Sequence, residues 1–193
     1  GLGAIFAFVT ITTLRLGTKP NVRFSKWVLR KGGHLQRAGL VFALLSALTF
    51  AFSTHSAVIR YHEYKGWAAV AELENASDEM VSRVAAINAW QHLETADRYG
   101  LLHPIELQTG LLRLAAMLGK PADVRHYATI VSAHLWDQAP QLAELGGYRA
   151  AAGDVAGGVR DLRRALELEP NAEPIRVELE RVLAVQQQQQ ALH

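Results

Sequence analysis

The chain has 193 residues, 20 Lys plus Arg against 18 Asp plus Glu, half of its residues hydrophobic, and no cysteine. That length allows one or two domains, and the lack of cysteine excludes a disulfide framework, a thiolate nucleophile and a cysteine-ligated zinc or iron–sulfur centre within these residues. A mean hydropathy of +0.05 is too high for a disordered chain and averages two unlike parts.

The charge is unevenly spread. Residues 1–66 hold nine basic side chains and one acid, Glu63, leaving 11 basic and 17 acidic side chains for the rest. The pI of about 9.1 would point to nucleic acid if read alone. Seven of the basic residues, however, lie together between two apolar stretches, where cations orient a membrane protein. No nucleic-acid partner is expected.

The first stretch, Gly1 to Leu14, is charge-free. As a helix it would measure roughly 21 Å, short of a full span. It reads as a partial transmembrane helix, the sequence being a piece of something longer; a short re-entrant helix is the alternative. Residues 15–37 follow with seven cations, no acid, and Gly17, Pro20, Gly32 and Gly33 to break any long helix. By the positive-inside rule this loop is cytoplasmic. Phe24, Trp27, Val28 and Leu29 among the cations predict a short amphipathic segment on an anionic leaflet, with Arg23, Lys26, Trp27, Arg30 and Lys31 at the membrane surface. Docking on a cytoplasmic partner would give the same pattern.

The second stretch runs from Ala38 to Ile59 without a single Asp, Glu, Lys or Arg. That is roughly 33 Å of helix, enough for a hydrocarbon core of about 30 Å. Arg37 and Arg60 flank it, and Tyr61, Tyr64 and Trp67 stand where an interfacial aromatic belt is expected. Residues 1–66 are therefore read as a membrane anchor, with a partial span 1–14, a cytoplasmic loop 15–37 and a span 38–59. Everything beyond residue 60 is expected on the outer face, the periplasm in a bacterium.

Residues 78–99 predict an amphipathic helix with Asp78 and Glu79 at its start, Gly100 after its end, and Ala89, Leu93 and Ala96 on its packing face. Residues 138–171 carry the clearest signal in the chain. Gly146 is small where two helices would approach, Gly153-Asp154 offers a tight turn, Leu162, Ala165 and Leu166 form the packing face of a second helix, and Pro170 stops it. Gly119 precedes Gly153 by the same interval that separates Leu111 from Leu145, a step that marks an internal repeat, and Pro121 suits a helix start. The tail from Ala172 predicts a final capping helix that frays into a Gln-rich end, residues 186–193.

These residues resemble the tetratricopeptide pattern, with Leu145, Gly146, Gly153, Ala165 and Pro170 at its signature positions. Gly158 stands where the family usually has Ala, Tyr148 is one place early, and in the copy upstream Leu112 replaces the Gly and Trp136 the Pro. The resemblance covers residues 69–190 and implies a helical-hairpin repeat domain over 67–190; with the two transmembrane helices read above, the expected fold is all-α. Some such domains grip a peptide carboxylate with basic residues on their first helices. The matching positions here are Arg113, Ala143, Gly147 and Ala150, which fits a groove for a partner's helix or strand better than a carboxylate clamp.

Eight histidines, His34, His55, His62, His92, His103, His126, His134 and His193, raise a metal or haem reading. His55 has no counterpart on the first stretch. It lies seven positions from His62, so the two read as interfacial histidines, with an axial ligand completed by another subunit as the alternative. His126 and His134, eight apart, read as one helix face without a third ligand. Glu72, Glu74, Asp78, Asp161, Glu167 and Glu169 read as solvated helix faces. No nucleophile elbow, zincin, P-loop or dinucleotide motif is present.

The whole reads as a non-catalytic, membrane-anchored scaffold or accessory subunit without its own cofactor, bound to other membrane-complex subunits and to membrane lipids. Two alternatives remain open. PNVRFSKWVLRKGG and HSAVIRYHEYKG faintly resemble the ends of polyferredoxin-type membrane proteins, which implies electron transport with clusters upstream of this sequence. A periplasmic assembly factor would also use the repeat groove.

Overall fold

The computed structural model describes residues 2–135 and 137–191. Trp136, read above as replacing a repeat proline, and His193 lie outside them. The described chain is mostly helical, 77% in eight helices, and divides into two compact units, residues 1–58 and 59–193.

In the first unit, α1 (Leu2–Thr18) ends where Gly17 and Pro20 disfavour its continuation. The basic loop then departs from expectation. Instead of an amphipathic segment it forms an antiparallel meander of β1 (Val22–Phe24), β2 (Trp27–Lys31) and β3 (His34–Leu35). Short range explains it: turn residues recur too often for a helix to nucleate, and two-residue hairpin loops fit between them. Gly32 and Gly33 join β2 to β3 at φ +57° and +82°, the left-handed pair that a tight hairpin needs. Asn21 Oδ1 accepts from Gly32 N–H at 2.8 Å, tying the turn to the strand entry. Leu16, Val22 and Leu29 form a small core backed by Ala38 and Phe42. Gly39 completes it, since a Cβ there would stand 2.0 Å from the Leu29 carbonyl oxygen.

Helix α2 (Arg37–Asn75) runs 39 residues without a break, well past the expected span end at Ile59. Among the described residues it is the helix long and apolar enough to cross a membrane, and only 6% of its apolar window is buried. Leu40, Val41, Leu44, Leu45, Leu48 and Phe52 are exposed along one face and Phe50 on another, and no charged side chain interrupts residues 38–59 on any side.

The second unit begins in the last turns of α2 and continues through α3 (Glu79–Tyr99), α4 (Ile105–Met117), α5 (Pro121–Ser132), α6 (Ala139–Ala151), α7 (Val155–Leu168) and α8 (Glu173–Ala191). Asp78 caps α3 by accepting from Met80 and Val81 N–H, and Pro121 opens α5, where its missing N–H costs nothing. The helix starts are periodic. Ile105, Ala139 and Glu173 are successive starts at one constant interval, and Pro121 and Val155 are separated by that same interval. Gly119 and Gly153, again one interval apart, both take positive φ (+66° and +86°) in the turns after α4 and α6. Each helix from α3 onward packs on the next, and α4 and α6 each also touch the helix two places on, α6 and α8 respectively. That pattern buries one continuous core from neighbour to neighbour, with Leu93, Leu111, Leu145, Leu162 and Ala165 fully enclosed. The last helix extends through the Gln run to Ala191 rather than fraying at residue 186.

Small residues set the helix spacing. A Cβ at Gly146 would fall 2.8 Å from Leu162 Cγ and 2.9 Å from the Gly158 oxygen, so α6 and α7 meet at a pair of glycines. Gly66 does the same on α2, where a Cβ would overlap the Leu93 side chain of α3.

Candidate functional site

A concavity of the second unit lies between the end of α2, α4 and the start of α6. Its volume is about 770 Å³, within the range of ligand clefts, and its walls are mainly apolar. Trp67, Leu73, Ile105, Leu114, Met117 and Leu135 supply the apolar lining; Glu74, Glu106, Arg113, Gln138 and Gln141 supply the polar one. Trp67 was expected in an interfacial belt. Its ring instead lies over α4, where a Cβ at Gly110 would come within 2.8 Å of it, and it remains 40% exposed to the groove. Tyr61 and Tyr64 are exposed on α2.

Arg113 does line this groove, but it is already engaged. Its Nε and Nη2 donate to the two carboxylate oxygens of Glu144 on α6 at 3.0 and 2.8 Å, the paired geometry that makes such bonds strong. Tyr148 O–H donates to Glu144 Oε1 at 2.7 Å. The Glu144 carboxyl responds to opposing influences: burial pushes its pKa up, and the bonds from Arg113 and Tyr148 outweigh it, leaving the pKa below the usual value. The same cluster, burial first and Glu144 second, pushes the Tyr148 phenol up to about 12.

A carboxylate whose folded pKa is depressed contributes stability above its unfolded pKa and loses it as pH falls through the folded value. Wild type should therefore lose thermal stability between about pH 5 and pH 3 faster than Glu144→Gln, which has no such proton to take up. Parallel melting curves across that range would reverse this assignment.

The other expected groove positions face elsewhere. Ala143 is half-buried against the core, Gly147 faces Glu178 of α8, and Ala150 packs on Gly158 of α7. None of the three lines the groove with Arg113. Helical phase explains this: on α6 Gln138 and Gln141 make the groove wall and Glu144 and Tyr148 meet Arg113, while Ala143, Gly147 and Ala150, at other phases, turn toward the core, α8 and α7. The repeat-pattern residues take packing roles, Leu145 and Ala165 buried, Gly146 at a helix crossing, Gly153 in a left-handed turn and Pro170 two residues after α7 ends.

Of the surface cations, Arg23, Lys26 and Lys31 are exposed on the meander beside Trp27, which is 56% exposed. Arg30 is diverted. Its guanidinium donates to the carbonyls of Leu16, Gly17 and Gly33, capping the open C-terminal end of α1 and holding the β2–β3 turn.

Two features were not read from the sequence. Asp161, taken above for a solvated side chain, is buried against Arg149, also buried. Arg149 Nε lies 3.0 Å from Asp161 Oδ2, Nη1 lies 3.3 Å from Asp154 Oδ2, and Nη2 donates to Ala128 O and Ser132 Oγ, so one side chain joins α5, α6 and α7. The Nε–Oδ2 contact is close but off the hydrogen-bonding direction, leaving both atoms without a directed bond. Burial pushes the Asp161 pKa up, and Arg149 opposes it. The second feature is a pairing of His62 with His92, 30 residues apart in sequence.

The other histidines are dispersed. His103 meets Asp97 at 3.1 Å, His126 lies against the ring of Tyr127, and His134 falls after the end of α5 rather than on its face, with Nδ1 3.1 Å from Ile130 O. Among the described residues no three His, Asp or Glu side chains are grouped as metal ligands.

No family model, curated protein or solved structure matches this chain. The groove and its residues are therefore read on their own chemistry.

Proposed function

We infer that this chain is a non-catalytic, membrane-anchored accessory or scaffold protein whose tetratricopeptide-like domain, residues 67–190, holds a partner protein in the α2–α4–α6 groove. The observation that carries this reading is the constant interval between the helix starts at Ile105, Ala139 and Glu173. Stacked helical hairpins of that period place successive first helices along one concave face, the usual protein-binding surface of such arrays. The groove supports it further: its apolar floor and amphipathic rim suit a helix or extended segment better than a small polar substrate.

The anchor reading is that α1 and the first part of α2 both lie in the membrane, joined on the cytoplasmic side by the basic meander. Arg23, Lys26 and Lys31 face anionic headgroups there, with Trp27 at the interface. The repeat domain is then on the outer face, in a bacterium the periplasm. The exposed, charge-free apolar stretch of α2 supports the second span.

The test is purification of the whole chain from membranes in mild detergent through a C-terminal tag. The expected result is a partner at fixed stoichiometry, lost with Met117→Arg. Met117 is 60% exposed in the groove wall, so that change should leave the melting temperature almost unmoved. In intact cells the same tag should be reached by an impermeant label from outside. A chain that purifies alone, or a partner retained by the variant, would refute groove binding; labelling only from the cytoplasm would invert the topology.

A further inference from the structure

The pairing of His62 with His92 is chemically specific. The two rings come from different helices, α2 and α3, and meet through the same atom, Nδ1 to Nδ1 at 3.0 Å, with ring centroids 5.1 Å apart and planes tilted by 46°. Gly66, one turn further along α2, makes this possible, because the helices touch there with no room for a Cβ. A neutral imidazole carries one ring proton, so a single proton on one of the two Nδ1 atoms makes this hydrogen bond, and the lone pair of the other accepts it. The two Nδ1 atoms thus face one another across a single hydrogen-bond length.

We propose that His62 and His92 form a two-imidazole site for a divalent transition-metal ion of the zinc, nickel or copper class. Two nitrogen ligands at about 2.0–2.1 Å from a tetrahedral metal stand roughly 3.3 Å apart. The observed 3.0 Å is within a few tenths of an ångström of that, and the side-chain rotations that widen it must also turn both lone pairs off the Nδ1–Nδ1 axis toward a metal beside it. On binding, the Nδ1 proton that bridges the pair moves to Nε2 of the same ring. Both Nδ1 lone pairs then make dative bonds to the metal, and no redox change is needed. Both side chains are half-buried, so water can complete the coordination. Tyr61 stands edge-on to both rings, at 5.7 and 6.4 Å, and screens one side. Burial first, then His62 and Lys65, lower the His92 pKa, and the Lys65 charge also opposes that of the metal. Two ligands and a nearby cation make this a moderate site, able to clamp α2 to α3 reversibly.

The test uses the full chain in detergent with a histidine-free tag. Titration with ZnCl₂ alone should give one site with a dissociation constant on the order of 10 μM, well short of a four-ligand structural site. His62→Ala should weaken it at least tenfold, and so should His92→Gln, whose amide can still hydrogen-bond to His62 but is a poor ligand. His126→Ala should leave it unchanged. With Cu²⁺ as the probe, the wild-type paramagnetic resonance spectrum should show coupling to two equivalent nitrogens, a readout that needs no variant. Absence of saturable binding below about 1 mM, or binding that neither substitution at His62 and His92 weakens, would overturn the site, as would copper coupled to fewer than two nitrogens.

Discussion

Arg149→Ala is expected to destabilise the second unit by about 3–5 kcal/mol, the effect of breaking a buried ion pair by removing one partner. The side chain is only 7% exposed and Asp161 only 9%, so the aspartate left behind would stay largely buried with no ion pair, Arg160 being the cation still near enough to act on its charge. The loss would also remove the bonds that Arg149 gives to Ala128 O and Ser132 Oγ on α5, the Ser132 hydroxyl keeping its own bond to Thr129 O. Because a domain of this size has only about 5–15 kcal/mol in hand, thermal unfolding should shift by many degrees. A contrasting variant separates charge from shape. Arg149→Met with Asp161→Leu removes both ions and keeps volume, so it should recover most of the loss. If Arg149→Ala melts within about 1 kcal/mol of wild type, the cluster is hydrated and not the tie between three helices that its geometry indicates.

Gly158→Ala is the second large effect, and its sign is the point. In an exposed helix interior, glycine to alanine stabilises by about 1 kcal/mol, and alanine is what the repeat pattern has at this position. Here a Cβ would come within 2.6 Å of the Gly146 carbonyl oxygen and 3.0 Å of Ala150 Cβ. The backbone cannot rotate away as a side chain would, so α6 and α7 must separate. Overpacking of this kind costs about 1–3 kcal/mol. Chemical denaturation of the single variant measures it directly. A variant more stable than wild type would mean that the two helices can part cheaply and that Gly158 is not what sets their distance.

The same two positions show why the helical part was legible and its fine structure was not. The repeat period is written in Leu111, Gly119, Leu145 and Gly153, because packing and turn chemistry constrain residue type at each: leucine where a hairpin closes over its core, glycine where φ must be positive. The long apolar run of α2 is equally local, since being long and apolar enough to cross a membrane is a property of consecutive residues. Gly158, by contrast, reads as a departure from pattern until its distance to Gly146 is known.

Local sequence was misleading where several short-range preferences compete. The basic loop holds glycines, a proline and scattered aromatics, and an amphipathic segment was the simpler expectation; the meander wins because each tight turn pairs short strands on either side of it. Arg30 was read as one more surface cation, yet the sheet aims it at the end of α1. Ala143, Gly147 and Ala150 were placed in a groove from position in the repeat alone, and the rotation of α6 turns them to its packing side.

By itself, then, the order of residues determined what depends on neighbours along the chain: the apolar helix, the helix starts and stops, the turn glycines and the charge asymmetry. Only the tertiary structure decided which distant side chains meet. Arg113 reaches Glu144 across 31 positions, Arg149 gathers Ala128 and Asp161, and His62 finds His92 across 30. The physical reason is that helical phase and crossing distance, each set by packing over several turns, select these partners, and a single residue's identity carries neither quantity.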